Sequence, residues 1–143
     1  MPFEFLEEIA TADVAFEAWG ETLEEMFISA AEATMNVMVA DLEKIERRET
    51  RDIQVSSDAI DMLLFNLLQE IIFYKDAEQL LLRIQDAEIE HLNGLHSLRA
   101  VGWGERIDPG RHELIVDVKA VTLHRFKVEP TSRGWETFII LDI

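Results

Sequence analysis

The sequence predicts an α+β fold: a two-layer sandwich in which a mixed sheet of six to seven strands carries two main helices on one face. Three observations carry this. Two long stretches near the N-terminal half repeat their apolar residues at helical spacing. A short stretch before them alternates with period two. From Leu80 onward the pattern is a succession of strands separated by turn residues. With 143 residues and no linker or low-complexity segment, a single domain over 1–143 follows.

The elements follow in order. Residues 3–20 read as extended, with Val14, Phe16 and Ala18 alternating against Ala15, Glu17 and Trp19. Gly20 ends that run. Thr22 and Glu25 form a capping box, and Leu23, Met26, Phe27, Ala30, Thr34, Val37 and Met38 share a face, so a helix spans about 22–41. Residues 44–56 read as a charged connection entering a strand. Its arginines Arg47, Arg48 and Arg51 suit a solvated edge strand. Ser56, Ser57 and Asp58 offer N-caps for a second helix over 58–76, with an apolar stripe from Ile60 to Ile72.

Strands then follow at 80–84 and 87–90, a turn at Asn93-Gly94, and strands at 97–103 and 113–121 around a polar loop at Asp108-Pro109-Gly110. The last two strands are 126–128 and 135–143. The final one is apolar on both faces except at Glu136, Thr137 and Asp142, which marks it as central.

Charge narrows the function. There are 29 acids and 13 Lys plus Arg, a formal net charge of −16. Eleven acids precede the first basic residue, Lys44. Phosphate backbones are bound mainly through Lys and Arg, so direct nucleic-acid binding is not expected. An anionic membrane surface is disfavoured for the same reason. A divalent cation or a basic patch on a protein partner suits such stretches, and plain solubility explains most of the charge. Cys is absent, which excludes disulfides, thiolate zinc sites and Cys nucleophiles. No apolar run exceeds four residues, as at Met62 to Phe65, and the start Met1-Pro2-Phe3-Glu4 lacks a basic signal region. A cytoplasmic protein is expected.

Catalytic signatures are missing. Gly102 and Gly104 begin a Gly-x-Gly-x-x-Gly pattern, but position 107 is Ile. His91, His96, His112 and His124 lack metal-ligand spacing and read as surface or turn residues. Carboxylates remain. Asp13 follows the small-residue run Ala10-Thr11-Ala12, and Asp142 precedes Ile143 with its carboxylate. Together they form a candidate hard-oxygen site for Ca²⁺ or Mg²⁺.

Several blocks now resemble the archease family. They are Thr11-Ala12-Asp13-Val14, Ala18-Trp19-Gly20, Thr22-Leu23-Glu24-Glu25-Met26-Phe27, Met38-Val39 and the helix segment from Leu63 to Glu70. Gly102-Trp103-Gly104-Glu105, the run from Val118 to His124 and the terminal Ile139-Ile140-Leu141-Asp142-Ile143 complete the ordered set. The resemblance implies an archease-like fold and a non-catalytic protein cofactor of the RtcB-type tRNA-splicing RNA ligase. Such a protein would promote guanylylation and multiple turnover of the ligase and broaden its nucleotide use.

It also implies that Asp13, Asp142 and Ile143 bind a divalent cation, described as calcium in the family, with Mg²⁺ or Mn²⁺ as other candidates. Glu46 is the nearest match to a further family Glu, and Lys119 lies in a family block. The His usual before Thr-Ala-Asp is replaced by Ala10. Two other functions compete: a metal-dependent phosphoester hydrolase using the same acids, and a chaperone-like interaction module.

Overall fold

The computed structural model describes residues 2–6 and 13–143. Ala10, where the resemblance expects His, and its neighbours Thr11 and Ala12 lie outside the described residues. The elements are β1 (Phe3–Phe5), β2 (Asp13–Gly20), α1 (Leu23–Met38), β3 (Glu49–Ser57), α2 (Ile60–Glu78), β4 (Leu80–Leu92), β5 (Leu95–Arg106), β6 (Ala120–Thr131) and β7 (Gly134–Asp142). A single 3-10 turn, Leu42–Lys44, follows α1.

Helix α1 begins as its capping box predicts. Thr22 Oγ1 accepts from the Glu25 N–H at 3.1 Å, and Glu25 Oε2 reaches back to the Glu21 N–H at 3.0 Å. Small residues let the sheets approach this helix from several sides: Ala30, Ala31, Ala33, Ser29 and Thr34 are all buried. The two buried hydroxyls donate to carbonyls one turn back, Ser29 to Glu25 and Thr34 to Ala30, each at 2.9 Å.

Helix α2 starts later than expected. Its N-cap is Ala59, which makes no side-chain cap bond, while Ser57 Oγ accepts from the Ala59 N–H at 3.2 Å. The serines thus finish β3 instead of capping the helix.

The α+β class, the two helices and the seven strands are as expected. The strands, however, divide into two sheets, ordered β1-β2-β7-β6 and β3-β5-β4, and every pairing is antiparallel. Each helix touches both sheets, so the pair lies between them and covers one face of each. The physical reason is visible in α1. Its buried positions cover most of its circumference, leaving only a strip at Glu25, Ile28, Glu32 and Asn36 less buried, and one sheet can cover only one side. As expected, β7 is a central strand, with Thr137 to Leu141 buried.

The strand expected at 113–121 forms only from Ala120. Residues 113–119 instead run along the end of α1. Ala40 N–H donates to Glu113 O and Ile115 N–H to Met38 O, each at 2.9 Å. The buried ammonium of Lys75 on α2 anchors the far end of this segment. It donates to Val118 O at 2.7 Å and pairs with Asp76 and Asp117.

Candidate metal centre

The two aspartates singled out from the sequence meet through the β2–β7 ladder. The register runs from Gly20 opposite Trp135 to Asp13 opposite Asp142. Directly opposed residues in an antiparallel pair point to the same face, with Cβ atoms about 4.5–5.5 Å apart. That face is the outer one. Val14, Phe16 and Ala18 turn to the helices, whereas Ala15 packs with Ile140 and Phe138 in a small outer cluster.

On the other side of Asp142 stands Ala120 of β6, so the row across three strands reads Asp13, Asp142, Ala120. The small alanine leaves room beside the carboxylates. The backbone of Asp142 is held in turn, because Lys119 N–H donates to its carbonyl at 2.8 Å. Asp13, Asp142 and Ile143 are all half-buried.

Two carboxylates directly opposite each other repel, at a cost that a cation between them would reverse. Their oxygens, with the main-chain oxygens of Ile143 beside them, are the donor chemistry that suits a hard divalent ion. Among the described residues no group of three or more His, Cys, Asp or Glu side chains gathers around one point. The donors therefore fit an open site completed by main-chain oxygen and water, not a closed side-chain cage.

Glu46 does not join this site. Its carboxylate pairs with Arg48 at 3.1 Å and Arg111 at 3.8 Å. Its N–H donates to Glu105 Oε2 at 2.6 Å.

Glu105 is the hub of a second cluster that sequence reasoning missed. Only 4% exposed, it also pairs with Arg111 and receives His112 Nε2 at 3.1 Å. Asp108 N–H donates to His112 Nδ1 at 2.9 Å, so the imidazole proton is on Nε2. Burial alone would raise the Glu105 carboxyl. The bonds from Arg111, the Glu46 N–H and His112 outweigh it and hold the group at about 2. His112 is thus buried and fully bonded, not a surface residue. The signal for the cluster was Gly104 before Glu105: a Cβ there would stand 1.7 Å from the Leu81 carbonyl oxygen. Only glycine lets β4 approach so closely.

The expected edge arginines are also engaged. Arg51 pairs with Glu49 and Glu78, and Arg47 lies over the Trp103 ring at 4.4 Å.

Comparison with known proteins decides the family. The pattern of the Archease protein family matches residues 3–143. The chain belongs to the archease family. "Protein archease" of Pyrococcus abyssi is 35% identical over 134 residues, covering 93% of this chain and 94% of that protein. The archease of Methanosarcina mazei is 34% identical over 142 residues, covering 99% and 95%. The solution structure of Methanobacterium thermoautotrophicum protein 1598 superposes with a TM-score of 0.85 at 33% identity, covering 99% of each chain.

A Thermotoga maritima crystal structure, described as an archease and possible chaperone, shares the fold with a TM-score of 0.61 at 20% identity and 98% coverage of each chain. The archease architecture of two helices and two antiparallel sheets is therefore shared by relatives of low identity. Among the described residues, no helix is long and apolar enough to cross a membrane.

Proposed function

We propose that this archease activates an RtcB-type RNA ligase, promoting its guanylylation and multiple turnover in tRNA splicing and RNA repair, and broadening the nucleotide it accepts. The protein acts as a non-catalytic cofactor in the cytoplasm and contacts the ligase, not the RNA. Family membership over 3–143 supports the reading. The observation that carries the mechanism is the register pairing of Asp13 with Asp142.

Asp13, Asp142 and the main-chain oxygens of Ile143 would hold the divalent ion, Ca²⁺ or else Mg²⁺ or Mn²⁺. An ion held by these residues would supply positive charge that offsets the negative charge of a nucleotide's phosphates. The chain's own part is positional. The β2–β7 ladder fixes the two carboxylates, Ala120 leaves space beside them, and Lys119 N–H holds the Asp142 backbone. So few protein ligands predict a dissociation constant on the order of 10⁻⁴–10⁻³ M.

The test is ligase guanylylation with and without this protein. Stimulation by the wild type, and its loss in Asp13→Ala and Asp142→Ala, is expected. Full stimulation by both variants would overturn the carboxylate mechanism. Phosphoester turnover with Mg²⁺ or Mn²⁺ and no ligase would favour a hydrolase. Aggregation suppression insensitive to chelator would favour a chaperone-like module.

A further inference from the structure

Three consecutive apolar residues after His112, namely Leu114, Ile115 and Val116, are 45%, 55% and 37% exposed. Contiguous apolar surface of this kind marks an interaction site. Phe73 of α2, also exposed, extends the patch. It lies at helical spacing between Gln69, which accepts from the Val121 N–H at 3.3 Å, and Asp76, which shares Lys75 with Asp117.

One edge of this segment is paired and the other is open. Leu114 stands opposite Val39. The bonds on either side of it, Ala40 N–H to Glu113 O and Ile115 N–H to Met38 O, tie the segment to the end of α1. In an antiparallel pair flanked in this way, the N–H and C=O of the middle residue point to the opposite edge. Among the described residues the main-chain groups of Leu114 and Val116 make no hydrogen bond. Beside them is a cavity of about 210 Å³ lined by Met38, Leu81, Ile107 and the same apolar residues. That is below the roughly 300–1,000 Å³ of small-molecule sites and suits a single apolar side chain.

We propose that residues 113–117 are a docking edge, to which the ligase of the proposed function adds an extended segment carrying apolar and basic side chains. The partner's identity rests on that function. Main-chain bonds to Leu114 and Val116 supply the pairing, and the cavity takes one apolar side chain of the added strand. Charge selects the occupant. Asp41, Glu113, Asp76 and Asp117 flank the edge, and Lys75 is already shared by the last two. A second copy of this chain, with the same rim and a net charge of −16, is repelled, whereas a basic segment is drawn in.

The edge is continuous with the candidate metal centre. Lys119 N–H donates to Asp142 O at 2.8 Å, and Val116 is no more than about 11 Å from Lys119 along the chain. A partner held on this edge therefore has its neighbouring surface beside the carboxylate pair.

Calorimetric titration of the ligase with the full chain, alongside the guanylylation assay, tests this. Ile115→Lys puts a like charge in the way of a basic segment, and Val116→Pro removes an edge amide. Each should weaken ligase binding about tenfold or more. Each should also raise, by the same factor, the amount of protein giving half-maximal guanylylation, with the maximum unchanged. Hydrogen exchange at the Leu114 and Val116 amides should slow when the ligase is bound. Wild-type affinity in Ile115→Lys, or unchanged exchange at both amides in the complex, would overturn the docking edge and leave activation standing. Edge-dependent binding without stimulation would refute activation and keep the edge. A wild type that does not bind the ligase would overturn both. A dimer of this chain that Ile115→Lys dissociates in sedimentation would assign the edge to a second copy and overturn the proposal. Circular dichroism checks the fold of both variants, and the exposed Ile115 carries the test if Val116→Pro does not fold.

Discussion

Asp13 and Asp142, close to opposite ends of the chain, stand directly opposite each other on β2 and β7. Antiparallel pairing puts both carboxylates on one face, where like charges oppose the fold and a cation would draw them together.

This predicts effects of opposite sign for one substitution. In chelator, Asp142→Asn removes the repulsion and stabilises by up to about 1 kcal/mol, a rise in Tm of roughly 2–4 °C for a domain of this size. In calcium at ten times its Kd, the wild type gains about 1.4 kcal/mol and the variant does not. Thermal unfolding in the two buffers checks it. A variant less stable in chelator yet still calcium-responsive would refute the shared site.

Glu105 predicts a pH dependence. Its folded value of about 2 is below the ordinary 4.5, so the carboxylate contributes stability above pH 4.5 and loses it as pH falls toward 2. The stability gap between wild type and Glu105→Gln, about 2 kcal/mol at neutral pH, should shrink over that window. Urea unfolding from pH 7 to pH 3 measures it. A gap that stays constant would mean the bonds from Arg111 and His112 do not favour the charged form.

Lys75 predicts a local effect. Lys75 is only 5% exposed, but the side chains of Asp76 and Asp117 are more than half exposed and rehydrate when it is removed. Lys75→Met should therefore cost only about 1–2 kcal/mol. The tether at Val118 is lost with it. The neighbouring Lys119 amide, bonded to Asp142 O, should then exchange its hydrogen faster. Unchanged protection of that amide would show that the segment holds without Lys75.

Much of the fold was legible because it is local. The Thr22–Glu25 box, the Asn93-Gly94 turn and the central character of β7 each depend on neighbours along the chain. The strand expected at 113–121 was misjudged because period-two alternation reports an extended backbone, not a pairing partner. This segment found its partners at the end of α1 and on Lys75. His112 was misread for a related reason. Nothing near it in sequence announces that Glu105 and the Asp108 amide will satisfy both ring nitrogens.

The amino-acid order already determines the α+β class, the two helices, the acidic balance and the candidacy of Asp13 and Asp142. These follow from hydrophobic period, capping chemistry and composition, which act over a few residues or over the whole chain at once. Strand partners and register are different. They are settled by which apolar faces can be buried together, and α1, buried over most of its circumference, requires a sheet on more than one side. Only that packing splits the strands into two sheets, aligns β2 with β7 residue by residue, and turns two distant aspartates into a facing pair.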